Sequence, residues 1–300
     1  MAKKKTDTRT NRQLRTESAK TPRTPEQQRV ALRRLVRMFY DMQRLRMQSA
    51  GRGGKKLDGD KKAPLTDNIE LTEIDRIQLE RRASELLAVE KEALKDVEAH
   101  LKTMPAYTKI LADKTRFKGI GPTMAGVILS EVDIHRAHTA SALWRYAGLA
   151  PVACRRCTNC KDEVVKKNGG YEHKFARKAK CLLASKAIPE SKTFESGRAE
   201  RAEKGTKLPF NRFFKTKMVG VMSGCLIKCG SPYRKFYDDY KHRLASSNRG
   251  RDDGHRHQMA LRYMVKMVLL DIWRDWRALE GLEVREPYQA EYLGHRHHTS

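Results

Sequence analysis

The residue types best suited to chemistry are cysteines and a histidine near the middle of the chain. Cys154, Cys157 and Cys160 follow one another at two-residue spacing, and His173 and Cys181 come later in the same lysine-rich segment. Thiolates and imidazoles are preferred zinc ligands, and a knuckle with two-residue spacing presents two thiolates to one tetrahedral ion. The pattern predicts a zinc site formed by a subset of these five residues, with one cysteine left over. The alternative interpretation is that reduced cysteines lie in a disordered insertion.

A glycine-containing turn is the second feature that could contact a ligand. Residues 117–123 read FKGIGPT and lie between two helical patterns, and the paired glycines permit a tight turn with outward-pointing amides. In a helix-hairpin-helix, the second helix begins just after such a turn and meets a phosphate with its positive end. We therefore expect Lys118, Gly119, Gly121 and Thr123 to contact DNA, with Gly121 requiring either a positive φ angle or close approach of a phosphate. An ordinary turn between helices is the alternative, since a lone G-x-G is weak evidence.

Helices must position these residues, because apolar side chains recur at helical spacing along most of the chain. A basic amphipathic helix is predicted from about Pro25 to Ser49, and a long helix without Gly or Pro from about Leu71 to Lys102. The heptads of the long helix are irregular, which leaves it only a candidate for a coiled coil and for pairing between copies. Further helical patterns lie at 123–132, 140–146, 211–229, 233–243 and 256–279. Almost no strand alternation is present, so the predicted fold is mostly α, with the Cys-rich segment as an inserted loop.

These patterns divide the chain into five predicted parts. They are a disordered basic arm (1–24), a basic helix with its linker (25–68), a long helix (69–116), a helical DNA-binding domain with a Cys-rich insertion at 153–195 (117–280) and a tail (281–300).

The composition favours a nucleic-acid partner. The formal net charge is +27 over 300 residues, and an excess of this size is best neutralised by a polyanion. No run approaches the roughly 18 apolar residues of a membrane span, and the first residues are too polar for a signal peptide. We expect a cytoplasmic protein without a membrane partner. Six cysteines in such a chain favour metal ligation and free thiols over disulfides, and Cys225 with Cys229 are spaced like helix core residues.

Three blocks of sequence resemble a known family. They are GIGPTMAGVILSEVDIHRAHTASALWRYAGLAP at 119–151, then FNRFFKTKMVGVMSGCLIKCGSPYRKFYDDYKHR, then HRHQMALRYMVKMVLLDIW. In this order they are similar to the C-terminal domain of the bridge-RNA-guided insertion-sequence transposases and the related Piv-type DNA invertases. The resemblance covers about residues 70–280. It implies DNA binding through a helix-hairpin-helix, action in DNA transposition and a guide RNA as a further candidate partner.

The family also has a serine nucleophile, in a serine-glycine context followed by basic residues and a glycine. In this chain, GLAPV runs into cysteines instead, and the nearest equivalent is the segment ESGRAERAEKG at 195–205. The resemblance makes Ser196 the candidate nucleophile, with Ser185 and Ser223 as weaker ones. A serine hydroxyl needs an activating base or metal, and cations must stabilise the charge that develops on phosphorus. The expected DNA-contacting cations are Arg198, Arg201, Arg212 and Lys215.

The chain departs from the family at its N-terminal side. Full-length members carry a ribonuclease-H-like domain whose four carboxylates bind Mg²⁺. The acids of residues 1–70 lie on a basic helix or in a linker, where solvated charges are the better interpretation; they include Asp41, Asp58, Asp60 and Asp67. Mg²⁺ chemistry would therefore come from a separate acidic catalytic subunit, or the chain is a non-catalytic DNA- or RNA-binding accessory protein with the same fold.

Overall fold

The computed structural model describes residues 23–52, 72–160, 162–167, 169–173, 181, 187–199, 205, 208–247 and 252–285. Several predictions lie outside them: nearly all of the basic arm, most of the linker and tail, Arg201, Ser185, and three of the N-terminal aspartates. The chain forms two compact units, the first from residues 1–114 and 120–133, the second from 115–119 and 134–300. The fold is mostly α, as the sequence predicted.

In its described residues, the first unit is built from three α-helices. Helix α1 spans Pro25–Arg52, α2 spans Glu73–Leu101 and α3 spans Pro122–Glu131, with a π-helical turn at Tyr107–Leu111. A capping box between Thr72 and Asp75 begins α2. The helices pack closely at Gly126, where a Cβ atom would lie 3.0 Å from Val36 and 3.1 Å from Val97. Glu131 is buried, and its carboxylate accepts a hydrogen bond from Arg37 at 2.6 Å.

The second unit surrounds one long helix. Helix α4 spans Ala140–Tyr146, and a continuous helical stretch runs through α5 (Arg212–Lys215), a π-helical segment (Thr216–Met222) and α6 (Ser223–Lys228). Helices α7 (Arg234–Ser246) and α8 (Asp253–Leu279) complete the helical part. Helix α8 is buried along most of its length, and its Trp273 indole donates a 2.7 Å hydrogen bond to the Ala137 carbonyl oxygen. None of the helices in the described ranges has the length and hydropathy needed to cross a bilayer.

The Cys-rich segment contains a small four-stranded sheet, which the sequence did not predict. Its strands are β1 (Pro151–Cys157), β2 (Glu163–Lys167), β3 (Gly170–His173) and β4 (Thr193–Ala199), in the antiparallel order β3-β2-β1-β4. The strands are hard to detect in sequence because they are short and alternate weakly. One signal is present: the dipeptide Asn168-Gly169 separates β2 from β3, and Asn-Gly favours the tight turn of a two-residue hairpin.

Candidate metal centre and nucleic-acid interface

Four of the five predicted metal ligands lie together. The ligand atoms of Cys157, Cys160, His173 and Cys181 are all within 4.8 Å of one another. The Sγ atoms of Cys157 and Cys181 are 3.8 Å apart, and Cys160 Sγ lies 3.1 Å from His173 Nε2. The structure therefore places a Cys₃His cluster inside the Cys-rich segment.

The sheet brings these ligands together from distant positions in the chain. Cys157 ends β1, and the turn that follows places Cys160 beside it. The turn is closed by a hydrogen bond of 2.9 Å from the Cys157 backbone N–H to the Asp162 carbonyl oxygen. His173 ends β3 and pairs with Val164 in the neighbouring strand, which puts its ring on the face that carries Cys157.

The cluster fits a tetrahedral cation. Zinc–thiolate bonds of about 2.3 Å place two tetrahedral sulfur ligands about 3.8 Å apart, which matches the Cys157–Cys181 separation. Burial, together with the neighbouring thiols Cys181 and Cys157, raises the pKa of the Cys160 thiol to about 12. A cation beside the Cys160 sulfur would offset this effect and stabilise its thiolate. The cluster could hold a metal ion.

Cys154 is the residue left over. In a β-strand successive side chains point to opposite faces, so residues three positions apart lie on different faces. Cys154 and Cys157 both belong to β1, and only Cys157 faces the cluster. Two-residue spacing forms a knuckle when it spans a turn, as between Cys157 and Cys160, and fails to do so within a strand. Sequence spacing alone gives no way to tell the two cases apart.

Ser196 lies on β4, directly opposite Cys154 in the register with β1. Its side chain is half-buried and shares a face with Cys154, away from the metal cluster. Arg198, two residues further along β4, forms an ion pair with Glu163 of β2, with Nε and carboxylate oxygen 3.2 Å apart. The candidate nucleophile is thus a strand residue. Ser223, its weaker rival, is buried in α6 and donates a 2.6 Å hydrogen bond to the Val219 carbonyl oxygen.

The two glycines of the 117–123 turn have different conformations. Gly119, in the second unit, has a φ of 94°, and a Cβ atom there would lie 2.6 Å from Cys229 Sγ. Gly121, in the first unit, has a φ of −79° and is the N-cap of α3, and a Cβ atom added to it would meet no neighbouring atom within 4 Å. The expectation of a positive φ at Gly121 was therefore wrong. Its open surroundings would allow a ligand to approach closely, and glycine is also a favoured N-cap residue.

The two residues preceding Lys118 are fixed within the second unit. The Arg116 guanidinium forms ion pairs with Asp271, at 3.5 Å, and with Asp275, both on α8. The Phe117 ring stacks on Tyr233 with 6.0 Å between ring centroids. Lys118 itself is exposed, whereas Thr123, near the start of α3, is half-buried. The lysine therefore projects to solvent from an anchored segment.

The helical stretch from Arg212 to Lys228 is strongly basic. Residues 204–237 contain no Asp or Glu, so the cations along this stretch have no acidic neighbour in sequence. Asn211 begins α5 by accepting a hydrogen bond of 3.0 Å from the Phe214 N–H. Arg212 is exposed, and the Lys215 ammonium lies 4.2 Å from the centre of the Phe210 ring. This stretch offers positive charge on a regular scaffold, the arrangement that suits a phosphate backbone.

Comparison with known proteins adds one finding. Residues 115–156 match the transposase IS116/IS110/IS902 family. The matched segment begins just before the glycine turn and ends within β1, one residue before Cys157. A search of curated proteins gives no match. Over these residues the chain is similar to transposases, which supports a function related to transposition.

Proposed function

We propose that this protein binds DNA during transposition, chiefly through contacts to the phosphate backbone. The observation that carries the proposal is the similarity of residues 115–156 to the IS116/IS110/IS902 transposases. The acid-free basic stretch at 204–237 and the net charge of +27 support it. The location would be the cytoplasm.

The proposed contacts come from each unit separately. In the first unit, Gly121 and Thr123 lie at the N-terminal end of α3, where unpaired amides and the helix dipole attract a phosphate. In the second unit, Arg212 and Lys215 carry the charge, with the exposed Lys118 adding to it. Amides and lysines contact phosphates without reading bases, so the binding would be weakly selective for sequence. A guide RNA would bind through the same phosphate chemistry.

For strand exchange we propose Ser196 as the nucleophile. Its hydroxyl oxygen would attack a phosphodiester phosphorus, forming an Oγ–P bond while the leaving strand departs with the oxygen of the broken bond. A hydroxyl of another strand would then displace the serine. The hydroxyl proton needs an acceptor, and we assign the activating Mg²⁺ and that acceptor to a separate acidic polypeptide.

We propose zinc as the ion of the Cys₃His cluster. Zinc takes thiolate and imidazole ligands at tetrahedral geometry, and a site with four protein ligands is typical of a structural role. The residues that would hold it are Cys157, Cys160, His173 and Cys181. When bound, the ion would stabilise the folded sheet, because metal binding and folding are coupled in small domains.

A second candidate is a non-catalytic DNA- or RNA-binding accessory protein. One observation favours it: across the described ranges, the Cys₃His cluster is the group of His, Cys, Asp and Glu suited to a metal, and no cluster of carboxylates accompanies it. Several carboxylates there are instead paired with arginines, such as Glu131 with Arg37 and Asp271 with Arg116.

One experiment separates the two candidates. The purified chain is incubated with DNA carrying an element end, with and without a polypeptide bearing a ribonuclease-H-like domain, and denaturing gels are used to detect protein-linked DNA. The transposase proposal expects an adduct only with the second polypeptide, and Ser196→Ala should abolish it while leaving DNA affinity unchanged. An adduct that survives Ser196→Ala would place the nucleophile elsewhere, at Ser185 or Ser223. DNA binding without any adduct favours the accessory protein.

A further inference from the structure

Strand β4 is attached to the metal centre at three points. Cys157, the metal-facing end of β1, pairs with Thr193, the first residue of β4. The next residue, Thr158, donates two hydrogen bonds to the Lys192 carbonyl oxygen, from its backbone N–H at 3.0 Å and its hydroxyl at 3.1 Å. The chain that leads into β4 is held as well, because Tyr171 and Ile188 exchange backbone hydrogen bonds of 2.9 and 2.8 Å.

Among the described residues, the sheet has few other side chains that form a core. Its buried cluster consists of Val164, Tyr171 and Ile188 together with the ligand thiols Cys157 and Cys181, and Cys160 packs against it. Three described apolar side chains are few for four strands, because the conformational entropy lost on ordering each residue must be offset by burial or bonding. A cation that joins four side chains from β1, its turn, β3 and position 181 would supply the missing cross-links.

Ser196 depends on this arrangement although it does not face the metal. It lies three residues after Thr193 and opposite Cys154, so its position follows from the register of β1 with β4. Several contacts of β4 do not involve the metal ligands. The Arg198–Glu163 ion pair joins β4 to β2 across β1, and Arg155 of β1 donates to the Thr193 hydroxyl at 3.2 Å and pairs with Glu195 at 3.3 Å. Side-chain pairs of this kind are partly exposed to solvent, and exposed ion pairs contribute little to stability.

We infer that the Cys₃His centre is a positioning device for Ser196: occupancy by a thiophilic divalent cation orders β4, and removal of the cation releases the serine from its place. The inference rests on the proposed role of Ser196 and on a metal-bound cluster. The inference also means that the supply of metal controls the candidate nucleophile. The effect would pass through the sheet, without any contact between the cation and the serine.

Hydrogen exchange of the full-length protein, read by mass spectrometry, tests the inference. Spectra are compared for protein loaded with zinc and for protein stripped with a chelator, in peptides covering residues 151–157 and 193–199. We expect exchange in these peptides to become at least about tenfold faster without zinc, because the strands would open locally. Peptides from α8 should not change. Loss of zinc with unchanged protection of β4 would overturn the inference and would mean that other contacts suffice.

Substitutions provide the matched comparison. Cys181→Ser removes a ligand and should reproduce the stripped state, whereas Cys154→Ser alters a thiol of the same sheet on the opposite face and should keep both zinc and protection. His173→Cys would give the site four thiolates. This variant should also keep zinc and the protection of β4 from exchange, because a Cys₄ set binds zinc at tetrahedral geometry. If Cys181→Ser protein lacks zinc yet protects β4 as the unsubstituted protein does, the inference is wrong.

The test also separates this inference from the proposed function. DNA affinity is measured on the same zinc-loaded and stripped samples. DNA binding that is absent from both samples, while β4 protection follows zinc, would contradict the proposed function and leave the metal-dependent ordering of β4 in place. DNA binding with β4 protection insensitive to zinc would contradict the inference alone.

Discussion

The Sγ atoms of Cys157 and Cys181 lie 3.8 Å apart, although 24 positions separate the two residues in the chain. Two reduced thiols at this distance contribute little to the stability of the fold, because a thiol is a weak hydrogen-bond donor and acceptor. Two thiolates at this distance would repel each other without a cation between them. The pair is therefore the most direct structural reason to expect a metal ion.

Protein purified without added metal should contain one zinc ion per chain. The ion is expected because Cys157, Cys160, His173 and Cys181 provide a complete tetrahedral set. Elemental analysis measures the content, and cobalt substitution should give the absorption of a tetrahedral thiolate complex. Cys181→Ser should reduce the content to near zero, and Cys154→Ser should leave it unchanged. Equal loss in the two variants would contradict the assignment of the ligands.

The register of β1 with β4 predicts a specific disulfide. Because Ser196 and Cys154 are directly opposed, a Ser196→Cys protein should form a 154–196 disulfide under mild oxidation, since opposed residues of antiparallel strands have a suitable Cα separation. Glu195→Cys is the matched control, because residue 195 lies on the other face and should not bond to Cys154. Peptide mapping by mass spectrometry identifies the bonds. A 154–195 disulfide of equal yield would mean that the register differs.

Gly119 and Gly121 should respond differently to substitution. Gly119→Ala should lower the free energy of unfolding by about 1–3 kcal/mol, since a φ of 94° is unfavourable for alanine and its Cβ would meet Cys229. Gly121→Val should cost less stability, because the φ of −79° suits any residue and the space is open, so the cost is limited to the poorer N-cap that valine provides. It should weaken DNA binding if a phosphate approaches this amide closely. Chemical denaturation and DNA titration measure the two effects.

DNA affinity should fall steeply with salt. A protein that neutralises several phosphates releases counterions, so the Kd should rise by about tenfold or more between roughly 50 and 200 mM salt. Arg212→Ala and Lys215→Ala should each weaken binding and reduce the salt slope by about one. Arg81→Ala removes the same charge from an exposed arginine paired with Glu85 on α2 and serves as the control. An affinity that stays flat over this range would contradict phosphate-based binding.

The buried ammonium of Lys266 should destabilise the folded protein to an extent that depends on pH. Burial lowers the pKa of its ammonium, which lies 5.2 Å from the centre of the Trp144 ring. Because the charged form is disfavoured in the folded state, the cost is full below the lowered pKa and vanishes above the ordinary value of 10.5. Lys266→Met should therefore raise the Tm at neutral pH, and the gain should shrink as the pH approaches 10.5. Lys228→Met, at an exposed position of α6, should show no such trend.

The helices could be predicted from sequence and the sheet could not, for one physical reason. Helix α1 and helix α8 carry apolar residues at helical spacing because their buried faces are made of hydrocarbon. In the sheet, Cys157, Cys181 and Cys160 occupy or border the core in place of larger apolar side chains. Strand alternation in hydrophobicity is therefore weak, and the cysteines can be recognised as ligands without revealing the strands that hold them.

The candidate site could likewise be predicted only in part from the sequence. The sequence predicts that one cysteine is left over without showing which, because the choice between Cys154 and Cys157 depends on which residues lie in a strand. The position of Ser196 opposite Cys154 requires the β1–β4 register, and the segment between these strands spans 35 residues. Long-range pairing of this kind leaves no local pattern in sequence.

The path of the chain between its two compact units has a practical consequence for genetic dissection. The chain passes from one unit to the other after residues 114, 119 and 133. No single cut can therefore separate the units: a fragment that ends at residue 114 lacks α3, and a fragment that extends through α3 carries residues 115–119 of the other unit. Truncations and fusions at these positions would divide a unit, so function is better assigned by point substitutions within the intact chain.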